Sequence, residues 1–359
     1  MAEAWDEGRR VDAVELMGLV GEIFRACGME DDDAHLMADS LVYADLGGVH
    51  SHGVLRVPEY AEKLTAAGVD PRGRPAVVRE TGACLVVDGR NSMGQIGCHF
   101  AMEQAIEKAA DHGIGAAAVR GSNHCGAMAY FAMQAIARDM IGWATTNALP
   151  TMAPWGGAER ILGINPLGVA LPAGREYPIV FDAAFAGSSH GKIRIYQQKG
   201  LALPPGWALD AQGRPTTDPA AAIAGLLMPI GQFKGVALAM IMGMFSSLLS
   251  GAAYGTELGD MENGPQAGAD GHFVLALNVA AFEEVARFKE RVDRAIEELH
   301  ASSKAPGEER VYAPGEKEFL CREAYGRAGI PLNEETRKGI GEAARAVGVD
   351  PGACDWTEV

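Results

Sequence analysis

The sequence predicts an α/β protein that is helical at both chain ends, and three observations carry that prediction. Amphipathic helical patterns with capping residues fill roughly the first seventy positions. From about Arg79 onward, short apolar segments of strand character alternate with helical stretches. Two further helical patterns follow near the C-terminus. With 359 residues, 48% of them hydrophobic, the chain has material for one large domain or two intimate ones.

The first helix is expected over Val11–Cys27, with Asp12 and Glu15 in capping-box spacing and Gly28 as its stop. The second is MEDDDAHLMADSLVYAD, with Asp31, Asp32 and Asp33 at its positive end and Gly47-Gly48 closing it. Pro58 suits the first turn of a third, VPEYAEKLTAAG, closed by Gly68. Strands are expected in ACLVVDG, IGAAAVRG, IGWATTN, LGVALPA and PIVFDAA, and helices in HFAMEQAIEKAADHG and MAYFAMQAIARD. VARFKERVDRAIEELHASS is a charged helix with Val292, Ala295, Ile296 and Leu299 on one face, and NEETRKGIGEAARAVG is the last helix. The Gly- and acid-rich loop TELGDMENGPQAGADGHF is expected to be the one mobile long connection.

Composition excludes several classes. A formal charge of −16 and a pI near 5.0 leave no basic stripe for a phosphate backbone, so nucleic acid is not an expected partner. The run VALAMIMGMFSSLLSGAAYG is interrupted by Gly243, Ser246, Ser247, Ser250 and Gly251, which favours a buried small-residue helix over a membrane span. The N-terminal residues carry Glu3 and Asp6 and no apolar stretch of signal length, so a cytoplasmic location is expected. Six scattered cysteines without a C-x-x-C pair fit reduced thiols and no metal site. Cys125, beside His124, reads as a small buried hydrophobe.

Chemistry concentrates in two places. The segment YADLGGVHSHGVLRVPEY brings His50, Ser51, His52 and Arg56 together where a helix gives out. Imidazole titrates nearest neutrality and suits proton transfer, and the planar guanidinium of Arg56 can grip a carboxylate. A helix-capping His and a surface ion pair are the plainer reading of the same residues. The second cluster, RGSNHCGAMAYFAMQA, places Ser122, Asn123 and His124 between a strand and a helix, so His124 is a second acid/base candidate, or an incidental neighbour of an N-cap. Gly113-Ile114-Gly115-Ala116-Ala117-Ala118 matches G-x-G-x-x-A, yet a helix precedes it and a strand follows. That order is the reverse of a Rossmann phosphate loop, so these glycines end a helix.

Taken together, VYADLGGVHSHGVLRVPEYAEKL, SNHCGAMAYFAMQA, APWGGAERILGINPLGVALPA, VFDAAFAGSSHGKI, GLALPPGWALDAQGRPTTDP, PIGQFKGVALAM and VYAPGEKE resemble the type 2 malate/lactate dehydrogenase family over nearly the whole chain. The resemblance implies a non-Rossmann mixed-sheet nucleotide-binding body over 76–284, beside a helical domain built from 1–75 plus 285–359, usually in a homodimer. It implies hydride transfer between NAD or NADP, with NAD favoured, and the α-carbon of a small 2-hydroxy or 2-oxo carboxylate. By position, Ser51, His52 and Arg56 fall at the substrate end, and either His52 or His124 is the acid/base. Asp182, Ala183, Ala184, Lys234, Pro314, Gly315 and Glu316 match cofactor contacts. The chain departs from the usual pattern at Gly47, Ile164, Ala183, Phe185, Val236, Ala237 and Gly243, mostly near the expected cofactor pocket. Reduction of a cyclic imine carboxylate on the same scaffold, and a ligand-binding protein without redox activity, are the alternatives.

Overall fold

The computed structural model describes residues 9–260 and 263–353. The chain opens with β1 (Arg9–Val11), α1 (Ala13–Ala26) and α2 (Asp31–Leu46). Two 3-10 turns, His50–His52 and Val54–Arg56, lead into α3 (Val57–Thr65). Asp12 caps α1 by accepting the N–H groups of Val14 and Glu15, and Pro58 occupies the first turn of α3. The central body runs through β2 (Ala76–Thr81), β3 (Cys84–Asp88), α4 (Gly94–His112), β4 (Ile114–Ser122), α5 (Met128–Ala132) and β5 (Met140–Thr146). It continues with β6 (Pro150–Met152), β7 (Leu162–Gly163), β8 (Leu167–Leu171), β9 (Ile179–Ala183) and α6 (His190–Gln198). Next come β10 (Ala208–Leu209), β11 (Pro215–Thr216), α7 (Pro219–Ala224), β12 (Leu226–Leu227), α8 (Phe233–Ser246) and β13 (Asp270–Asn278). The chain closes with α9 (Val285–His300), α10 (Glu316–Ala328), β14 (Ile330–Leu332) and α11 (Glu334–Ala346).

The principal sheet has the strand order β2-β3-β4-β13-β5-β8-β9, in which only β3 and β4 run parallel. A smaller sheet, β11-β10-β12-β6-β7, packs its apolar side chains with those of α8. The two chain ends meet in the β1–β14 pair, where Arg9 faces Leu332 and Val11 faces Ile330. That pairing draws α1, α2, α3 and α11 around one core that includes Leu16, Phe24, Met37, Leu41, Tyr60 and Ile340. Gly113 ends α4 in the left-handed conformation with φ of 80°, and β4 starts at the next residue, so the helix-before-strand order holds.

Four features differ from the sequence expectation. First, α3 stops at Ala66, and Gly68 serves another purpose: a Cβ there would lie 2.0 Å from the Gly264 carbonyl oxygen. Second, the loop residues 259–260 and 263–268 are not loosely attached, because the carbonyls of Asp260, Asn263 and Gln266 bind Lys63 and the Gly259 N–H donates to the Gly268 carbonyl at 2.8 Å. Third, α9 packs Val292 and Ile296 against Ala173 and Ile179 beside β8 and β9, away from the α1–α3 core. Fourth, α8 is not buried all round. Phe233 is 59% exposed, and Leu248 and Leu249, just past its end, are 58% and 57% exposed. Among the described residues no helix is long and apolar enough to cross a membrane.

Candidate active site

The turn after α2 is built around a buried carboxylate. Asp45 is 1% exposed and bonds Nδ1 of His50 at 2.7 Å with one oxygen, while the other accepts the Val54 N–H at 2.7 Å. Burial raises its pKa, and the His50 and Val54 bonds oppose that rise. Gly53 is obligatory here, because a Cβ would lie 2.2 Å from the Asp45 carboxyl. His50 is itself buried and stacks on Tyr325 at 6.0 Å between centroids, so it belongs to the scaffold. The sequence cluster is therefore divided: His50 faces the core, while Ser51 and Arg56 line a cleft.

That cleft has a volume of about 580 Å³ and is walled by Ser51, Arg56, Tyr60, Lys63, Asn123 and His124, with Gly191 and Thr336 on other elements. Ser51 Oγ lies 2.9 Å from His52 Nδ1. The ring of His52 stacks on that of His124 with centroids 6.0 Å apart and an angle of 15°. Arg56 is held by its Nε donating to the Ser51 carbonyl at 2.9 Å and its Nη1 donating to Glu59 at 2.8 Å. No bond from Nη2 to a described residue is recorded, which makes that nitrogen the available donor for an anion. A larger hollow of about 830 Å³, near Gly174 and the start of α9, contains no imidazole.

His124 is the most constrained of these groups. Its Nδ1 lies 2.6 Å from the Tyr60 hydroxyl and also receives the Gly126 backbone N–H at 3.3 Å. A backbone N–H can only donate, so Nδ1 holds a lone pair and the neutral ring carries its proton on Nε2. Burial, Arg56 and the neighbouring imidazoles hold its pKa well below the usual histidine range. His52 is drawn down to about 4, first by burial and then by Arg56. Both rings are thus neutral near pH 7. The Nδ1 of His52 faces a serine hydroxyl, which donates or accepts equally well, so either of its tautomers is available.

Tyr60, Gln95, Asp45 and Lys63 escaped the sequence reading. Tyr60 and Gln95 are buried, and the Gln95 amide donates to the Tyr60 hydroxyl at 3.4 Å. The usable signal was periodicity, since Arg56, Tyr60 and Lys63 lie three or four residues apart on one face of a turn and helix. Behind His124, Cys125 is 1% exposed with Sγ 3.6 Å from His272 Nδ1, and His272 also bonds Ser122 and Thr146 at 2.8 Å each. Among the described residues, no cluster of three or more His, Cys, Asp and Glu could hold a metal.

The residues expected to contact a cofactor converge on β9. Asp182, Ala183 and Ala184 are its end and continuation, and Asp182 reaches solvent while one oxygen accepts the Ala129 N–H at 2.7 Å. Pro314 lends its carbonyl to the Val180 N–H at 3.0 Å, which lays the 313–316 turn along the outer edge of β9. Lys234 is exposed in the first turn of α8, a helix joined to the β9 continuation by the Ala186–Pro229 bridge and the Ile230 N–H to Phe185 carbonyl bond. Glu316 is buried and fully engaged, accepting from the Ala313 N–H, paired with His300 at 2.7 Å and bonded to Arg310. Its position suits it to hold the turn. The Gly243 departure has a local cause: any Cβ there would lie 2.4 Å from the Asn165 amide nitrogen. His190, in SSHGKI, is by sequence either a substrate or cofactor contact or a partly buried structural histidine, and its side chain lies outside the described atoms.

A mixed sheet without a Rossmann unit carries stacked neutral imidazoles beside an arginine, an arrangement suited to proton transfer on a small carboxylate. The chain belongs to the malate/L-lactate dehydrogenase family, whose model matches residues 11–340. It is 36% identical over 350 residues to a malate dehydrogenase of Pyrococcus horikoshii, covering 95% of this chain and 96% of that protein. It is 32% identical to an NAD(+) ureidoglycolate dehydrogenase of Escherichia coli O157:H7, covering 86% and 88%. The solved sulfolactate dehydrogenase of Methanocaldococcus jannaschii superposes with a TM-score of 0.90 at 34% identity, covering 96% of this chain and 98% of that one.

Proposed function

We propose that the cleft binds a small 2-hydroxy or 2-oxo carboxylate and interconverts the two by hydride transfer with a nicotinamide dinucleotide. The observation that carries this reading is the His52–His124–Arg56 constellation, in which a neutral imidazole, His124, and the Arg56 cation line one cavity and a second neutral imidazole, His52, stacks on His124 beside Ser51. Arg56 orients the carboxylate through Nη2. His124 offers its Nε2–H to the oxygen on the α-carbon. His52, free to carry its proton on Nδ1 toward Ser51, takes the hydroxyl proton at Nε2 during oxidation and returns it during reduction.

The residues along β9 fit a dinucleotide. Asp182 presents an exposed carboxylate suited to ribose hydroxyls, and Lys234 sets a cation at the N-terminus of the 14-residue helix α8, suited to the pyrophosphate. Ala183 and Ala184 leave room beside them, and Pro314 and Gly315 border the strand. A bound nicotinamide ring supplies the hydride acceptor or donor. NAD is favoured over NADP: burial pushes the Asp182 carboxyl up to about 7, and in its ionised form it accepts ribose hydroxyls and disfavours a 2′-phosphate. The proposed domain division is 1–75 plus 285–359 against 76–284, with α9 packed on the 76–284 body through Ala173 and Ile179.

The exposed apolar face of α8 supports a homodimer as the working form. Phe233, Leu238, Ile241, Phe245, Leu248 and Leu249 are each at least 39% exposed, a patch that a monomer does not leave open to water without cost. The free thiols of Cys27, Cys84, Cys98, Cys125 and Cys321 fit the cytoplasm.

Fluorescence titration with NADH and NADPH tests the cofactor assignment. Saturable binding of NADH that Asp182→Ala and Lys234→Ala each weaken is the expected result. Binding that neither substitution changes would remove β9 as the cofactor edge.

A further inference from the structure

Lys63 carries a role that the reaction does not require of it. The residue lies on α3 one turn after Tyr60, is only 3% exposed, and directs its ammonium away from any carboxylate bond. Its Nζ donates to the carbonyl of Asp260 at 2.8 Å, to that of Asn263 at 3.2 Å and to that of Gln266. An ammonium has three protons, and three carbonyls of a single loop take them. Such a set of converging carbonyls solvates a cation in the way a small monovalent ion is solvated. The loop is tied at three other points. Gly259 and Gly268 close its neck, Gly264 presses on Gly68, and the Gly268 N–H donates to Asn123 Oδ1 at 2.7 Å. Asn123 precedes His124, and Gly259, Asp260, Gly268 and Asp270 line the cleft.

We propose that Lys63 is a tethered cation that organises loop residues 259–260 and 263–268 into a wall of the substrate cleft, making it a positioning residue for substrate affinity. The proposal rests on the cleft being the substrate site. Without the ammonium, three carbonyls point at one another across a vacant centre, and their mutual repulsion loosens the loop. A free cation able to donate hydrogen bonds can fill that centre. Ammonium and methylammonium can do so, and tetramethylammonium cannot.

The test is amide hydrogen exchange on full-length wild-type protein, Lys63→Ala and Lys63→Gln, each with and without ammonium or methylammonium chloride, alongside KM and kcat for a 2-oxo acid. In both variants the amides of 259–260 and 263–268 lose protection while those of β4 and β13 keep it. Methylammonium restores protection in Lys63→Ala, and tetramethylammonium does not. KM rises on the order of tenfold with kcat little changed, the mark of a loosened binding wall rather than a lost chemical group. Lys63→Gln keeps the first two stem methylenes and a polar end, so it reports if the alanine variant does not fold. Unchanged protection of 259–260 and 263–268 in the folded variant would overturn the proposal. Exchange reads the loop directly, so a failure of the dehydrogenase reading would leave this result standing, and a failure here would leave that reading standing.

Discussion

The hydroxyl of Tyr60 lies 2.6 Å from Nδ1 of His124, a nitrogen that also receives the Gly126 N–H. This pair fixes the tautomer of the imidazole that lines the cleft. It also separates two histidines that the sequence left interchangeable, with His124 held as a donor at Nε2 and His52 free to gain or lose a proton.

Replacing Tyr60 with Phe removes one partner of Nδ1 and leaves the Gly126 bond. The ring keeps its tautomer and loses part of its anchoring, so kcat/KM for 2-oxo acid reduction falls about tenfold, or about 1.4 kcal/mol. His124→Ala removes the donor and costs more, and His52→Ala costs most in the direction of oxidation. Steady-state kinetics of the three variants in both directions check the division of roles.

With His52 as the proposed base, its depressed pKa sets the acid limb expected of the pH profile. In the free enzyme the base becomes protonated only near pH 4, so kcat/KM for hydroxy acid oxidation stays level as pH falls through the ordinary histidine range. Stability follows with a definite sign. Between about pH 6.5 and about 4 the unfolded chain binds a proton that native His52 refuses, so lowering pH through that window destabilises the native state. Thermal melts at about pH 7 and about pH 5 show a larger drop for wild type than for His52→Asn.

Asp45 supports the whole turn without touching the cleft. Asp45→Ala strands the Val54 N–H and the His50 imidazole in the core and costs about 3 kcal/mol. Gly53→Ala drives a methyl into the same carboxylate and destabilises by a comparable route. Denaturant melts measure both, with the loss appearing in stability before any kinetic assay.

The apolar patch on α8 gives a separate prediction. Leu248→Glu with Leu249→Glu places charges on residues that are more than half exposed in a single chain, so they leave the chain's own packing undisturbed. Sedimentation velocity is expected to show a dimer for wild type and a monomer for the double variant. A monomeric wild type would assign the patch to another partner.

Much of the fold was legible because it is locally encoded. Asp12, Pro58 and Gly113 mark helix ends by their own chemistry, and the helix-before-strand order at Gly113 was enough to set aside a Rossmann loop. Ser51, His52, Arg56 and His124 could be named because short motifs carry them, and the structure brings all four to one place. What stayed hidden depends on contacts distant in sequence. Lys63 meets carbonyls about two hundred residues away, and Tyr60 meets His124 across 64. Gly68 looked like a helix stop because the approach of Gly264 leaves no local trace. The exposure of α8 was missed because an apolar helix reads alike whether its cover is the same chain or another.

The central claim is hydride transfer to the α-carbon, and isotope tracing tests it most directly. The protein is mixed with reduced nicotinamide dinucleotide deuterated at C4 and a panel of small 2-oxo acids, and the products are analysed by mass spectrometry. The account predicts a 2-hydroxy acid with one deuterium on the α-carbon, in a yield that falls when Arg56 or His52 is replaced by alanine. Transfer of deuterium to cyclic imine carboxylates alone, or to no acceptor at all, would contradict it.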